Sequence, residues 1–134
     1  MKNQTFTGTP TSRRFAVCPT TVIGGDAVLL GSEPAVALDS YQPPAAGKPG
    51  GTVFLMNGTF ALTVVASSSH SPYTGKTINP GDRLYASGTL DVATNVTTGL
   101  LISATSTDTP FGYLDPSSSA IASGTTSTTA EVYI

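Results

Sequence analysis

The spacing of glycine and proline constrains this chain more than any other feature. Its 14 Gly and 10 Pro separate short apolar or alternating runs, and no stretch of helix length repeats apolar residues at intervals of three and four. The runs are RFAVC (14–18), DAVLL (26–30), PAVAL (34–38), TVFLM (52–56), TFALTVV (59–65), RLYAS (83–87), TLDVA (89–93), GLLISATS (99–106) and AEVYI (130–134). Bounded by Gly-Gly, Pro-Gly, Asn-Gly and Pro-Pro, such runs read as strands, and the expected class is all-β. One short helical turn is expected in DPSSSAIAS, 115–123, where Asp115 would cap a first turn opened by Pro116.

A faint internal repeat fits the same reading. TVIGGDAVLLG, from Thr21, resembles TINPGDRLYASG, from Thr77. Each sets Gly-Asp ahead of a strand alternating Val28 and Leu30, or Leu84 and Ala86, followed by a turn and a second strand. Gly25 and Gly81 can adopt positive φ, and Asp26 and Asp82 can hydrogen-bond the turn backbone. Turn duty suffices to explain both aspartates.

The stretch TVFLMNGTFALTV, 52–64, reads as a hairpin folded at Asn57-Gly58. A two-residue loop would place Leu55 opposite Phe60 and Val53 opposite Leu62. One face then carries Val53, Leu55, Phe60, Leu62 and Val64, and the other carries Phe54, Met56, Ala61, Thr63 and Val65. Both faces hold large apolar groups, and an isolated hairpin is not stable in water. The first face is the expected core. Phe54 and Met56 need a second cover, either a sister subunit, which makes them the candidate subunit interface, or loop 39–51 or 66–81 of the same chain.

Composition narrows the chemistry. Charged residues are 10% of the chain and the net charge is −2, so there is no basic field for nucleic acid or for an anionic membrane, and neither partner is expected. No apolar run nears the ~20 residues that span a bilayer. Cys18 is the single cysteine, which excludes an intrachain disulfide and suits a reducing compartment. The N-terminus has no apolar stretch of a secretory signal, so a cytosolic origin is expected unless a leader has been removed. His70, the single histidine, lies in SSSHSPYTG without the framing motif of a Ser-His-Asp triad. One His and one Cys in different segments give no zinc spacing. Glu33 and Glu131, the two glutamates, form no carboxylate pair in sequence, and Cys18 in FAVCP reads as a strand residue. The chain is expected not to be an enzyme, and neither cofactor nor metal is expected.

The order of GGTVFLMNGTFAL, then INPGDRLYASGTL, then TPFGYLDPSSSAIASGTTSTTAEVYI resembles the small capsid decoration, or cement, proteins of tailed bacteriophages, over residues 20–134. The carrying motifs are Gly81 to Tyr85, Gly112-Tyr113, Glu131 to Ile134, and the turn Asn57 to Phe60, which is similar to its counterpart in lambda-type head decoration proteins. The resemblance implies a small β-barrel or β-tulip body, residues 15–134, with a flexible N-terminal arm, residues 1–14. It also implies a homotrimer on the outer surface of an expanded phage head, made in the bacterial cytoplasm, whose partner is the major capsid protein. The arm MKNQTFTGTPTSRR would add a strand to a sheet edge of the shell, with Thr5, Phe6 and Thr7 in the strand, Phe6 in a pocket, and Arg13 and Arg14 on acidic groups.

A second reading is a virion-displayed or secreted β-sandwich that binds carbohydrate or a receptor. Asn3, Asn57 and Asn95 each open a glycosylation sequon. With no Trp in the chain, a sugar platform would need Tyr41, Tyr73 and Tyr113 to cluster.

Overall fold

A computed structural model describes residues 12–66 and 77–134. These residues form nine strands and no helix: β1 Arg13–Val17, β2 Ala27–Leu30, β3 Glu33–Ala37, β4 Gly51–Leu55, β5 Thr59–Ala66, β6 Arg83–Asp91, β7 Val96–Ser103, β8 Thr109–Leu114 and β9 Thr125–Tyr133. The expected all-β class is what the chain adopts. Five strands close a barrel in the order β7-β5-β9-β8-β6, with β6 pairing back to β7. The other four form an antiparallel sheet, β1-β4-β3-β2, joined to the barrel where β2 pairs with β7.

Strand β7 serves both sheets along one edge. Val96 and Thr97 pair with β2, and Ile102 pairs with Val64 of β5. Between them Gly99 adopts φ 63°. The facing strand β6 slips register between Ser87 and Thr89, and a Cβ on the intervening Gly88 would lie 2.5 Å from the Thr98 carbonyl oxygen. The two irregularities bend the β6–β7 hairpin at the point where β7 changes partner. Gly88 is thus a bulge inside one long strand, so RLYAS and TLDVA are one strand and not two around a turn.

The paired Gly-Asp motifs build matching corners. Gly25 and Gly81 have φ of 95° and 88°, as the third residue of a type II turn requires. Asp26 Oδ2 accepts from Ile23 N–H at 2.9 Å, and Asp82 Oδ2 accepts from Asn79 N–H at 2.8 Å. Each turn then joins a second strand. Gly25 N–H donates to Ala37 O and Ala37 N–H to Asp26 O; Gly81 N–H donates to Leu114 O and Leu114 N–H to Asp82 O. The repeat foreseen in sequence is therefore a repeat of structure at the Gly-Asp corner alone: the turn and second strand expected after it form in the first copy, as β2 and β3, whereas in the second copy β6 runs on through Gly88. Segment 115–123 is not helical: Ser118 N–H donates to Asp115 O in a tight turn, and Ser117 donates its hydroxyl to Asp115 Oδ2, so Asp115 is engaged by the turn and opens no helix.

The expected hairpin at Asn57-Gly58 does not form. β4 lies between β1 and β3, and β5 between β7 and β9. Of the two loop residues only Gly58 has positive φ, whereas a type I′ turn needs both. Gly58 instead exchanges backbone hydrogen bonds with Ile134, at 3.3 and 3.0 Å, and the chain turns a corner from one sheet into the other. The two apolar faces explain why. Leu55, Phe60, Leu62 and Val64 enter the large core, which also takes Leu29, Val36, Ile78, Leu84, Phe111, Leu114 and Val132. Phe54 enters a second, smaller core with Cys18, Val22, Val28, Ala35, Ala37 and Val96. A flat hairpin could cover only one of its faces; parting the strands buries both.

This corrects the proposed subunit interface. Phe54 is 0% exposed, covered by residues of β2, β3 and the 18–22 segment, with Tyr41 of the 39–51 loop at the margin. Phe54 has no surface to offer a sister copy, and Met56 is half-buried against the same cluster.

Candidate functional site

Strand β1 ends the four-stranded sheet. It pairs with β4 from Arg13 opposite Leu55 to Val17 opposite Gly51, and among the described residues no strand lies on its other side. An open edge offers a row of N–H and C=O groups to any extended chain, and charged side chains are the usual protection against unwanted pairing. Here Arg13 and Arg14 are both exposed. Lys48 adds a third cation, its ammonium 4.5 Å from the centroid of the Phe15 ring. Three of the chain's six Lys and Arg therefore converge on one sheet edge, and this edge stands out as basic on a chain of net charge −2.

The edge is held close to the body by a glycine. A Cβ on Gly51 would lie 2.2 Å from the Ala16 carbonyl oxygen and 3.0 Å from the Phe15 ring, so β1 can sit against β4 only because position 51 lacks a side chain. The pairing extends one residue before β1, where Met56 N–H donates to Ser12 O at 3.1 Å. The boundary drawn after residue 14 is accordingly too late: Arg13 and Arg14 belong to the folded sheet, because the β4 backbone reaches far enough to pair with them. Thr5, Phe6 and Thr7 lie outside the described residues, as do His70 and Tyr73.

Beside the edge an open groove of about 260 Å³ is lined by Arg14, Ala16, Val17, Leu30, Asn95 and neighbouring backbone. Cys18 follows β1 and is 4% exposed. Burial pushes its thiol above the ordinary range, against a lowering hydrogen bond from the Thr52 backbone, so the protonated form is favoured. Among the described residues no group of three or more His, Cys, Asp and Glu could hold a metal ion. Tyr41 packs at the smaller core near Gly50, whereas Tyr113 stands on the barrel opposite Tyr133, so no platform of Tyr41 with Tyr113 is built.

One surface was not foreseen. Arg83, Tyr113 and Tyr133 align across three barrel strands. The available signal was alternation: each is a polar or aromatic residue next to a buried aliphatic one, Leu84, Leu114 and Val132, and so must point away from the core. Compared with protein-family models, curated proteins and solved structures, the chain matches none.

Proposed function

We propose that the chain is a decoration protein of a tailed-bacteriophage head, which binds the expanded shell as a homotrimer and stabilises it against internal pressure. The observation that supports this reading most directly is the open β1 edge with its three cations. Residues 1–11 precede it in sequence, and with β1 they offer main-chain groups for pairing with a strand of the major capsid protein, while Arg13 and Arg14 meet acidic groups there. The chemistry required is binding alone. A ligand that binds the assembled shell and not its separated subunits stabilises it by about 2.7 kcal/mol per site at a hundredfold excess over Kd, and three linked copies raise the effective concentration of the second and third contacts.

Co-sedimentation with expanded and unexpanded heads of the phage that encodes the chain tests the reading. Pelleting with expanded heads is expected, together with loss of pelleting in Arg13→Glu/Arg14→Glu and in a chain lacking residues 1–11, both with unchanged melting. Absence of pelleting with expanded heads, or pelleting that survives both changes, refutes it.

A further inference from the structure

Among the asparagines Asn3, Asn57, Asn79 and Asn95, Asn57 alone precedes a glycine. A backbone amide nitrogen can attack the side-chain carbonyl of the asparagine before it and close a five-membered succinimide. A glycine nitrogen does so most readily, because no Cβ crowds it. Asn79 precedes Pro80, which has no N–H to give up. Asn95 precedes Val96, which is β-branched and 2% exposed.

The corner places Asn57 and Gly58, both half-buried, at the joint between two ladders. Met56 N–H donates to Ser12 O and so prolongs the β1–β4 pairing, while Gly58 pairs with Ile134 one position beyond Thr59 opposite Tyr133 in the β5–β9 pairing. Asn57 is the single residue between the two. The Gly58 N–H, whose proton the reaction must remove, is donated to Ile134 O at 3.3 Å, longer than the usual span of such bonds. This pair lies past the end of β9 at Tyr133, and the end of a ladder opens at far lower cost than its middle.

We propose that Asn57 is a site of covalent self-modification in the folded protein, converted to isoaspartate at a rate set by opening of the Gly58–Ile134 pair. Once the pair opens, Gly58 N loses its proton and bonds to Asn57 Cγ; the Cγ–Nδ2 bond breaks, and ammonia leaves with that proton. Water then opens the ring, either at Cγ to give an ordinary aspartate or at the main-chain carbonyl to give isoaspartate, in which the backbone runs through the former side chain. The product adds a negative charge to a chain of net charge −2. It also lengthens the backbone between Leu55 and Phe60, two members of the large core, where the chain crosses from one sheet to the other. The reaction needs water and no partner, so it goes beyond shell binding and stands or falls apart from it.

The test follows the full chain in warm, mildly alkaline buffer, with isoaspartate located by peptide mapping and by labelling with a protein isoaspartyl methyltransferase. Conversion is expected at Asn57 and at neither Asn79 nor Asn95, about tenfold or more slower than in the urea-unfolded chain because two backbone bonds must open first. Ile134→Pro removes the N–H that donates to Gly58 O and should quicken conversion about threefold to tenfold. A second arm, which holds even if that variant misfolds, adds ~1 M urea to the folded parent. A local opening exposes little surface and leaves the rate nearly unchanged, whereas a reaction waiting on global unfolding would run about thirtyfold faster at an m-value of ~2 kcal/mol/M. A folded chain that stays unconverted through many lifetimes of the unfolded chain's reaction, conversion centred on another asparagine, equal rates in the parent and a folded Ile134→Pro, or the thirtyfold rise in urea overturns the proposal.

Discussion

Replacing Phe54 with Ala separates a side chain buried within its own subunit from one buried between subunits. Phe54 is fully enclosed in a core of seven residues, and truncation of a buried Phe costs about 3–5 kcal/mol through lost transfer energy and the cavity left behind. Against a total stability of about 5–15 kcal/mol for a domain, that is a large share. With a urea m-value of ~2 kcal/mol/M, the midpoint should fall by about 2 M. The smaller core also supplies a local reporter, since Cys18 lies in it: a thiol reagent at mildly alkaline pH should label Phe54→Ala much faster than the parent, because opening that core is what admits the reagent. Both effects must be independent of protein concentration. A midpoint shift below about 0.5 M, or a loss that grows on dilution, would place the Phe54 cover in a second copy and refute the intrachain packing.

Gly51→Ala should detach β1 selectively, since its methyl would overlap the Ala16 carbonyl; faster hydrogen exchange in residues 13–17 with near-native exchange in β8 and β9 is the expected pattern, and uniform exchange would contradict it. Asp82→Ala removes the acceptor for Asn79 N–H and should cost about 0.5–1.5 kcal/mol in denaturant unfolding, an unchanged midpoint counting against the turn's role. The raised Cys18 pKa fixes a sign for pH dependence. The unfolded thiol ionises first, so its contribution is fully present below the unfolded value and is lost as pH rises through it toward the folded one. Stability should therefore fall with increasing alkalinity above about pH 9, with a smaller slope in Cys18→Ala; equal slopes would remove Cys18 as the cause.

Much of the fold was legible because its signals are local. Gly-Gly-Asp and Pro-Gly-Asp encode a turn whose chemistry is complete within four residues, and the structure reproduces both copies. Alternation likewise sorted Leu55, Phe60, Leu62 and Val64 into one core and Phe54 into another. Alternation specifies a face, however, and never a neighbour. The pairing of Gly58 with Ile134 spans most of the chain, so no short-range pattern could show that the Asn57 corner parts its strands. Gly88 misled for a related reason: a bulge and a turn demand the same residue, and only the Thr98 carbonyl on the facing strand decides between them. Of the candidate site, the two arginines were visible as charges, but their place on an open edge depends on which strand happens to end the sheet. Arg83, Tyr113 and Tyr133 lie up to fifty residues apart, and only barrel closure makes them neighbours.

The sharing of β7 has a mechanical meaning. Its first residues hold the outer sheet and its last ones seal the barrel, so a load taken up at β1 passes through β4, β3 and β2 into a staple that the barrel cannot release without coming undone. Such a body should give way all at once, in a single transition, and a partner that grips its rim is gripping the whole molecule.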